Sequence, residues 1–329
     1  MIYKASLFVG VLLLAGCSRF PEVKFSIPQA ETICALQDSG VPLGEVNSLA
    51  FLNDSTFVVT ARGVDKLYLF GTDGILKDTI NHSGRASFEY LTPDIVRCEG
   101  GKITVWSKDL LKFIEYEADG IPAGEWNYPS ACRDFRVTKD AIIIYTSGTR
   151  DDYVIDRLDK TTGKATEAGP KASWSHKALN VNGAVAPLHI QESTVYYLTR
   201  DALEIHAFDF EKGQDTVACV WDSSTFLRES VEEDIIPDYS RLIPYLQRNS
   251  LPVALIRPSG MFQVLAFEGD NTTDEKPGRF FTLYTPDSTF HFRLEEFAQY
   301  DRITTWKESF YFLSHSVRED DLYELRKMN

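Results

Sequence analysis

The sequence lacks the motifs that many metal-dependent and nucleophilic enzymes carry. Its five cysteines include no Cys-x-x-Cys pair, so neither a zinc site nor a dithiol redox centre is indicated. The six histidines form no His-Glu-x-x-His or His-x-His pattern, and no Gly-x-Ser-x-Gly nucleophile motif is present. We therefore assign no catalytic residue and no metal ligand from sequence motifs.

Basic residues are scarce relative to acidic ones, and long hydrophobic runs are missing. The chain has 34 Lys and Arg against 48 Asp and Glu, a formal net charge of −14. This balance argues against nucleic acid as a partner, because proteins that bind nucleic acid present basic surfaces. The longest apolar run, residues 5–16, is 12 residues long and too short to span a bilayer.

That apolar run instead predicts a lipoprotein signal peptide. Lys4 supplies a positive n-region, and the tetrapeptide Leu-Ala-Gly-Cys that ends at Cys17 resembles a bacterial lipobox. The resemblance implies a signal peptide over 1–16, a tether over 17–21, and lipid attachment at Cys17, where several acyl chains would anchor the protein firmly. By the usual sorting rule for such signals, Ser18 favours the outer membrane. A plain secretory signal with an incidental cysteine is the alternative.

A repeat of four apolar segments organises the rest of the chain. The segment TFVVT at 56–60 has counterparts that begin at residues 102, 141, 194, 261 and 309. A second apolar segment follows each one, and the turn Asp73-Gly74 after the first pair has Gly- or Asp-containing echoes after most of the others. Four strands at a period of about 40–50 residues are typical of a β-propeller blade. The repeat predicts an all-β fold, a six-bladed β-propeller, over residues 22–329.

One segment completes this repeat and another interrupts it. The sixth unit ends at Asn329 without room for a fourth strand, whereas 24–37 supplies a spare one. We predict that this N-terminal strand closes the last blade, because an open ring would leave unpaired strand edges. Residues 223–250 have apolar side chains at helical spacing and predict a small helical insertion, which Pro237 and Pro244 should break into short pieces.

The connection 81–95 resembles the Gly-x-Gly-Pro-Gly-Glu-Phe…Pro segment of six-bladed propellers exported by Bacteroidetes. Ala-Ser-Phe replaces the Gly-Pro-Gly, and the matching positions are Gly84, Arg85, Glu89, Tyr90 (for Phe) and Pro93. With the lipobox and the six units, the chain resembles the TolB-like six-bladed propeller lipoproteins of that phylum. The resemblance implies a fold and an envelope location more than an activity.

Arginines near strand ends are the candidates for ligand contact in this acidic protein. Propeller pockets collect side chains from several blades, and converging Arg and aromatic side chains would suit a carboxylate or sugar ligand, because a guanidinium group donates two parallel hydrogen bonds. Salt bridges to neighbouring Asp and Glu are the alternative role. The candidate ligand-binding residues are Arg62, Arg85, Tyr90, Arg133, Arg150, Arg200 and Arg257.

Four polar residues lie just before predicted innermost strands, where they could face the central channel: Asn47, Asp94, Asp134 and Asp301. Some lactonase-type propellers hold calcium at the channel with such side chains, because hard cations prefer oxygen ligands. Calcium is therefore the cofactor that an enzymatic hypothesis would require. A solvated-loop role for these residues is the alternative.

Export permits disulfides, and four cysteines follow the predicted signal peptide. Cys98 and Cys132 fall in neighbouring units and could approach each other, but free buried thiols are the favoured reading of all four. Triplets that begin at Asp54, Asp78, Asp215 and Asp287 resemble the short O-glycosylation signal of exported Bacteroidetes proteins, although such triplets also arise at strand ends.

Three functional hypotheses follow. The first is a membrane-anchored envelope lipoprotein, a non-enzymatic binding or scaffolding propeller for a protein, peptide or glycan partner. The second is a calcium-dependent hydrolase or lyase of the lactonase type that uses the central channel. The third is a structural spacer without a concave pocket. The side chains that line the channel and its two mouths discriminate among the three.

Overall fold

A computed structural model shows the protein as a ring of six antiparallel sheets, each with four strands in the described part of the chain. The described residues are 30–36, 43–146, 153–180, 186–221, 226–229, 231, 235–269, 280–293, 302–315 and 323–328. The predicted signal peptide and tether, Cys17 and Arg150 lie outside these ranges. Within these ranges, no helix is both long enough and apolar enough to cross a membrane.

The blades follow one another along the chain. Blade 1 contains β2 (Val46–Asn53), β3 (Thr56–Ala61), β4 (Leu67–Gly71) and β5 (Leu76–Ile80). Blade 2 contains β6 (Pro93–Glu99), β7 (Lys102–Ser107), β8 (Lys112–Glu117) and β9 (Pro122–Asn127). Blade 3 contains β10 (Cys132–Val137), β11 (Ala141–Thr146), β12 (Tyr153–Asp159) and β13 (Ala165–Lys171).

The second half of the ring repeats this order. Blade 4 contains β14 (Leu188–Gln191), β15 (Thr194–Leu198), β16 (Glu204–Asp209) and β17 (Gln214–Val220). Blade 5 contains β18 (Leu251–Ile256), β19 (Gln263–Phe267), β20 (Phe280–Tyr284) and β21 (Thr289–Arg293). Blade 6 contains β22 (Arg302–Trp306), β23 (Ser309–His315), β24 (Tyr323–Met328) and, from the N-terminus, β1 (Ala30–Ala35).

The ring has two distinct faces. The first strands of neighbouring blades contact one another around the centre. Because all strand pairs are antiparallel, every innermost strand begins on the same face, which also carries the connections between blades. Two of those connections contain α1 (Trp174–Leu179) and α2 (Tyr239–Arg248), so we call this side the helical face and the other the opposite face.

β1 closes the ring, as the sequence predicts. It pairs with β24 in antiparallel register from Ala30 opposite Met328 to Ala35 opposite Glu324. This pairing covers the edge that β24 would otherwise expose. It also means that the chain preceding Ala30 joins blade 6 at the opposite face.

Apolar side chains form six clusters in the described part of the chain, one between each pair of neighbouring blades. Phe57 of blade 1 packs in the same cluster as Leu325 of blade 6, and Trp106 of blade 2 in the same cluster as Phe135 of blade 3. The blades are therefore held together mainly by burial of apolar surface between sheets.

A β-bulge recurs near the start of several innermost strands. In blades 1, 2, 3 and 5 the pairing register of the first strand shifts after its first or second residue. The residues at the shifts are Asn47, Asp94, Arg133 and Val253. A bulge re-aims the side chain of the extra residue, and in blades 1, 2 and 3 it places a polar group near the helical-face mouth of the channel.

The four described cysteines are free thiols, of which Cys34 and Cys132 are buried as predicted, whereas Cys98 and Cys219 are only half-buried. Cys98 lies near the end of β6 at the opposite face, whereas Cys132 begins β10 at the helical face. The two ends of neighbouring innermost strands are too far apart for the disulfide considered above.

Candidate functional site

A buried network of charged side chains crosses the central channel. Arg97 of β6 donates to Asp134 Oδ1 through Nε at 2.8 Å and Nη2 at 2.5 Å, and to Ser48 Oγ at 3.1 Å. Arg136 of β10 approaches the same carboxylate at 3.3 Å, and its Nη2 donates to Thr305 Oγ1 at 3.1 Å. Since Thr305 belongs to blade 6, which lies across the ring from blade 3, this hydrogen bond spans the channel.

These residues do not fit a calcium site. Asp134 is fully buried, and its carboxylate accepts hydrogen bonds from two guanidinium groups. A divalent cation would have to compete with both arginines for the same oxygens. The part of the chain that the structure describes contains no group of three or more His, Cys, Asp or Glu placed to hold a metal, and Asp301 lies outside that part.

A cleft of about 520 Å³ opens on the helical face between blades 2 and 3. The two bulged residues Asp94 and Arg133 line it, from the first strands of the two blades. Lys108 and Asp109, from the β7–β8 loop, and Ser130, from the connection to blade 3, add to the polar lining, and Trp106 contributes an apolar wall. We call this concave site the blade 2–3 cleft.

Arg133 has no hydrogen bond or ion pair with any residue in the described ranges, and its Nε is buried without a partner. Burial lowers the pKa of Arg133, and the negative charge of Asp94 opposes that effect. Burial raises the pKa of Asp94, against the positive charges of Lys108, Arg133 and Arg302. Asp94 and Arg133 therefore feel each other's charge without forming an ion pair.

Two further arginines extend the positive charge from Arg133 towards blades 4 and 5. Arg200 is fully buried and donates from Nη1 to the carbonyl oxygen of Pro252 at 2.5 Å. Arg228 donates from Nη2 to the carbonyl oxygen of Arg200 at 2.9 Å, while its Nε and Nη1 are buried with no hydrogen-bond partner among the described residues. Burial lowers the pKa of Arg200 to about 10; the hydroxyl of Tyr145 opposes this, and the charges of Arg133 and Arg228 add to it. We call Arg133, Arg200 and Arg228 the arginine cluster.

Of the candidate residues, Arg133 and Arg200 both belong to the arginine cluster. Arg62, Arg85 and Arg257 lie elsewhere. Arg62 is exposed on the helical face and forms an ion pair with Glu45 at 3.1 Å, the alternative role considered for these arginines. Arg85 is exposed in the connection between blades 1 and 2. Arg257 directly follows β18 at the opposite face, where its guanidinium stacks on the rings of Tyr196 and Phe262.

Tyr90 is a packing residue and does not reach a ligand. Its side chain is completely buried, and its hydroxyl donates to the carbonyl oxygen of Ile80 at 2.8 Å. Its backbone pairs with His82, so the residue fixes the conformation of the connection between blades 1 and 2. The candidate role of Tyr90 in ligand binding is thus replaced by a structural one, because a neighbouring blade covers the ring.

Sequence reasoning did not single out Arg228 or Lys108, and it grouped Asp94 with Asn47, Asp134 and Asp301 and not with Arg133. Arg228 lies within the predicted insertion, where no strand end marks it. Asp94 and Arg133 are 39 residues apart, which equals the spacing between the β7 and β11 segments that begin at 102 and 141. That equal spacing is the signal that the two residues occupy equivalent positions in neighbouring blades.

Comparisons with known proteins bear on the fold. No protein-family model matches the sequence, and no curated protein matches it. A structure from Bacteroides fragilis, whose name describes an exported protein, superposes with a TM-score of 0.65 at 12% identity, covering 92% of this chain and 94% of that one. A member of the duf4221 family from Bacteroides vulgatus superposes with a TM-score of 0.64 at 9% identity, covering 92% and 98%.

Virginiamycin B lyase from Staphylococcus aureus is also similar, with a TM-score of 0.52 at 12% identity over 92% of this chain and 98% of that one. Identities this low reflect the architecture of a chain and carry no information on its activity. The protein is a six-bladed β-propeller similar in fold to proteins of Bacteroides, one of which is described as exported.

Proposed function

We propose that the protein is a lipid-anchored propeller of the bacterial envelope, held at the outer membrane, that binds a carboxylate-bearing partner without converting it. The partner is a protein, peptide or glycan that presents its carboxylate to the blade 2–3 cleft. The observation that carries this proposal is the guanidinium of Arg133, which lines an open cleft with no partner in the described structure. A carboxylate offers this group two oxygens in matching geometry.

Two observations support the envelope location. The N-terminal 17 residues resemble a lipoprotein signal, and a protein of similar fold from Bacteroides fragilis is described as exported. The chain preceding Ala30 joins the ring at the opposite face. A lipid at Cys17 would then leave the helical face, with its cleft, directed away from the membrane.

Binding is favoured over catalysis by the chemistry of the channel and the cleft. In the channel, Asp134 is already held by Arg97 and Arg136, so its carboxylate is not available to the calcium-dependent hydrolase or lyase. In the cleft, burial raises the pKa of the Cys132 thiol, which disfavours a nucleophilic thiolate. The presence of a cleft also speaks against a spacer without a concave surface.

Titration calorimetry at low ionic strength tests this proposal with three carboxylate probes: citrate, digalacturonate and trialanine. We expect at least one probe to bind the wild-type protein, and Arg133→Gln to weaken that binding by about tenfold or more, since a bidentate pair is lost. Arg62→Gln is the matched control, because Arg62 lies on the same face but outside the cleft. Binding of none of the probes, or equal binding by Arg133→Gln, would overturn the proposal.

A further inference from the structure

We infer that the ligand of the blade 2–3 cleft is a zwitterion, an amino acid or short peptide that carries a free ammonium group and a free carboxylate. Asp94 receives the ammonium group and Arg133 the carboxylate. The inference rests on the proposed function, to which it adds the second charge of the ligand and hence its chemical class.

The ammonium group of the ligand is inferred from the surroundings of Asp94. Its backbone carbonyl accepts from Thr60 Oγ1 at 3.2 Å, but its carboxylate has no hydrogen bond or ion pair with the described residues. A partly buried carboxylate loses hydration without gaining a partner, so a donor in the ligand would stabilise it. The guanidinium of Arg133 likewise loses hydration without gaining a partner among the described residues, so an acceptor in the ligand would stabilise it.

The other charges of the cleft leave it close to balanced. Lys108 is exposed at the rim, and the carboxylate of Asp109 accepts from Thr92 Oγ1 at 2.5 Å. Two cationic and two carboxylate side chains therefore surround the cavity. A purely anionic ligand would approach Asp94 unfavourably, and a purely cationic ligand would approach Arg133 unfavourably, whereas a zwitterion pairs with both.

The position of the two residues sets the orientation of the ligand. Asp94 and Arg133 are equivalent bulged residues of neighbouring blades, so the ligand would bridge the innermost strands of blades 2 and 3. Arg200 and Arg228 add positive charge on the Arg133 side. The carboxylate therefore points towards blades 3 and 4, and the ammonium group points towards blade 2. A cavity of about 520 Å³ is large enough for a short peptide.

Three dipeptide probes test the inference on the wild-type protein: dialanine, N-acetyl-dialanine, which lacks the ammonium group, and dialanine amide, which lacks the carboxylate. We expect dialanine to bind most tightly and each blocked probe to bind about tenfold more weakly or worse. Asp94→Asn should remove the preference for dialanine over N-acetyl-dialanine. Arg133→Gln should remove the preference for dialanine over dialanine amide, and Arg62→Gln should change neither.

Three outcomes separate this inference from the proposed function. Equal binding of dialanine and N-acetyl-dialanine by the wild-type protein overturns the zwitterion while carboxylate binding stands. Binding of digalacturonate but not of dialanine likewise overturns the zwitterion, while carboxylate binding stands. Binding of no carboxylate probe overturns both. The comparison of probes on the wild-type protein requires no variant, so a variant that fails to fold does not weaken the test.

Discussion

For a single residue, the presence of a charged partner determines whether a buried guanidinium stabilises the fold. Arg97 and Arg133 illustrate the two cases. Arg97 is paired with Asp134, whereas Arg133 has no partner in the described part of the chain. Unpaired buried charge is costly, but breaking a buried pair is costlier still because it leaves the other charge uncompensated. Arg133 is therefore expected to lower the stability of the fold, whereas the pair of Arg97 and Asp134 supports it.

We predict opposite effects when each of these arginines becomes leucine. Arg133→Leu should raise the free energy of unfolding by about 1 kcal/mol, and Arg97→Leu should lower it by about 3 kcal/mol. Urea denaturation followed by circular dichroism measures both. A loss of similar size in the two variants would contradict the assignment of Arg133 as a binding residue that the fold does not need.

His206 gives the protein a predicted pH dependence of stability. Its Nδ1 lies 2.9 Å from Asp215 Oδ2, and its Nε2 lies 2.9 Å from Glu204 Oε1. Burial alone would lower the pKa of His206, but the hydrogen bonds to Asp215 and Glu204 outweigh it, and the pKa is raised. Because the pKa of His206 is higher in the folded state, protonation of His206 stabilises the fold. This contribution is complete below the unfolded-state pKa of about 6.5, and it is lost as the pH rises through the folded-state pKa.

The expected result is a pH-dependent difference between the wild-type protein and His206→Gln. The loss of unfolding free energy in the variant should be largest below the unfolded-state pKa of about 6.5 and should shrink as the pH rises above that value. Denaturant titrations across this range measure it. A difference that stays constant with pH would show that the imidazolium form is not what the two carboxylates stabilise.

The candidate site could be read from the sequence only in part. Arg133 stands at a strand start in an acidic protein, and this position is enough to select it. The burial of Tyr90 depends on packing against the neighbouring blade, and the approach of Arg228 to Arg200 depends on how the insertion folds back. Contacts of this kind join residues far apart in the sequence, so no local pattern marks them.

At the scale of elements, the repeat predicts the strands well because each blade uses the same alternation and the same turns. Gly74, Gly120, Gly163 and Gly213 all adopt positive φ, between +63° and +83°, as tight hairpins need. The bulges and α1 are not predicted, because neither produces a periodic pattern of apolar residues in the sequence. Pro244 was expected to break the helical insertion, but it lies inside α2, which the buried side chains of Leu242 and Tyr245 anchor.

Gly74 provides a test of how blade 1 contacts the closing strand. It has a φ of +79°, and a Cβ built on it would lie 1.9 Å from the carbonyl oxygen of Ala35 in β1. Gly63 has a similar φ of +72° but open space around the Cβ position. Gly63→Ala should cost about 1 kcal/mol of stability from backbone strain alone, and Gly74→Ala should cost clearly more.

Thermal and urea unfolding of the two glycine variants measure this difference. The paired design separates backbone strain from the steric clash, since only Gly74 faces another strand. Equal destabilisation by both substitutions would mean that β1 does not pack against the turn of blade 1 as described.

At the scale of the whole molecule, stability depends on closing the ring. β1 is the only strand of blade 6 that comes from the N-terminal side in the described chain, and it covers β24. Removal of residues up to Leu36 should therefore expose an unpaired strand edge and cause self-association. Size-exclusion chromatography with light scattering measures this; a monomeric truncated protein with unchanged thermal stability would contradict the closure.

The two proposed roles of the protein fall on separate faces of the ring. The helical face carries the blade 2–3 cleft and the arginine cluster, whereas the chain preceding Ala30 joins the ring at the opposite face. The channel between the faces is crossed by the hydrogen bond from Arg136 to Thr305. Binding on the helical face and anchoring at the opposite face are therefore compatible in one molecule.

A crystal structure of the protein soaked with dialanine would show whether the blade 2–3 cleft binds a zwitterion. We predict density for the dipeptide in the blade 2–3 cleft, with its carboxylate on Arg133 and its ammonium group on Asp94. Density in the central channel or beside Arg257 on the opposite face, or no bound dipeptide at saturating concentration, would contradict the account.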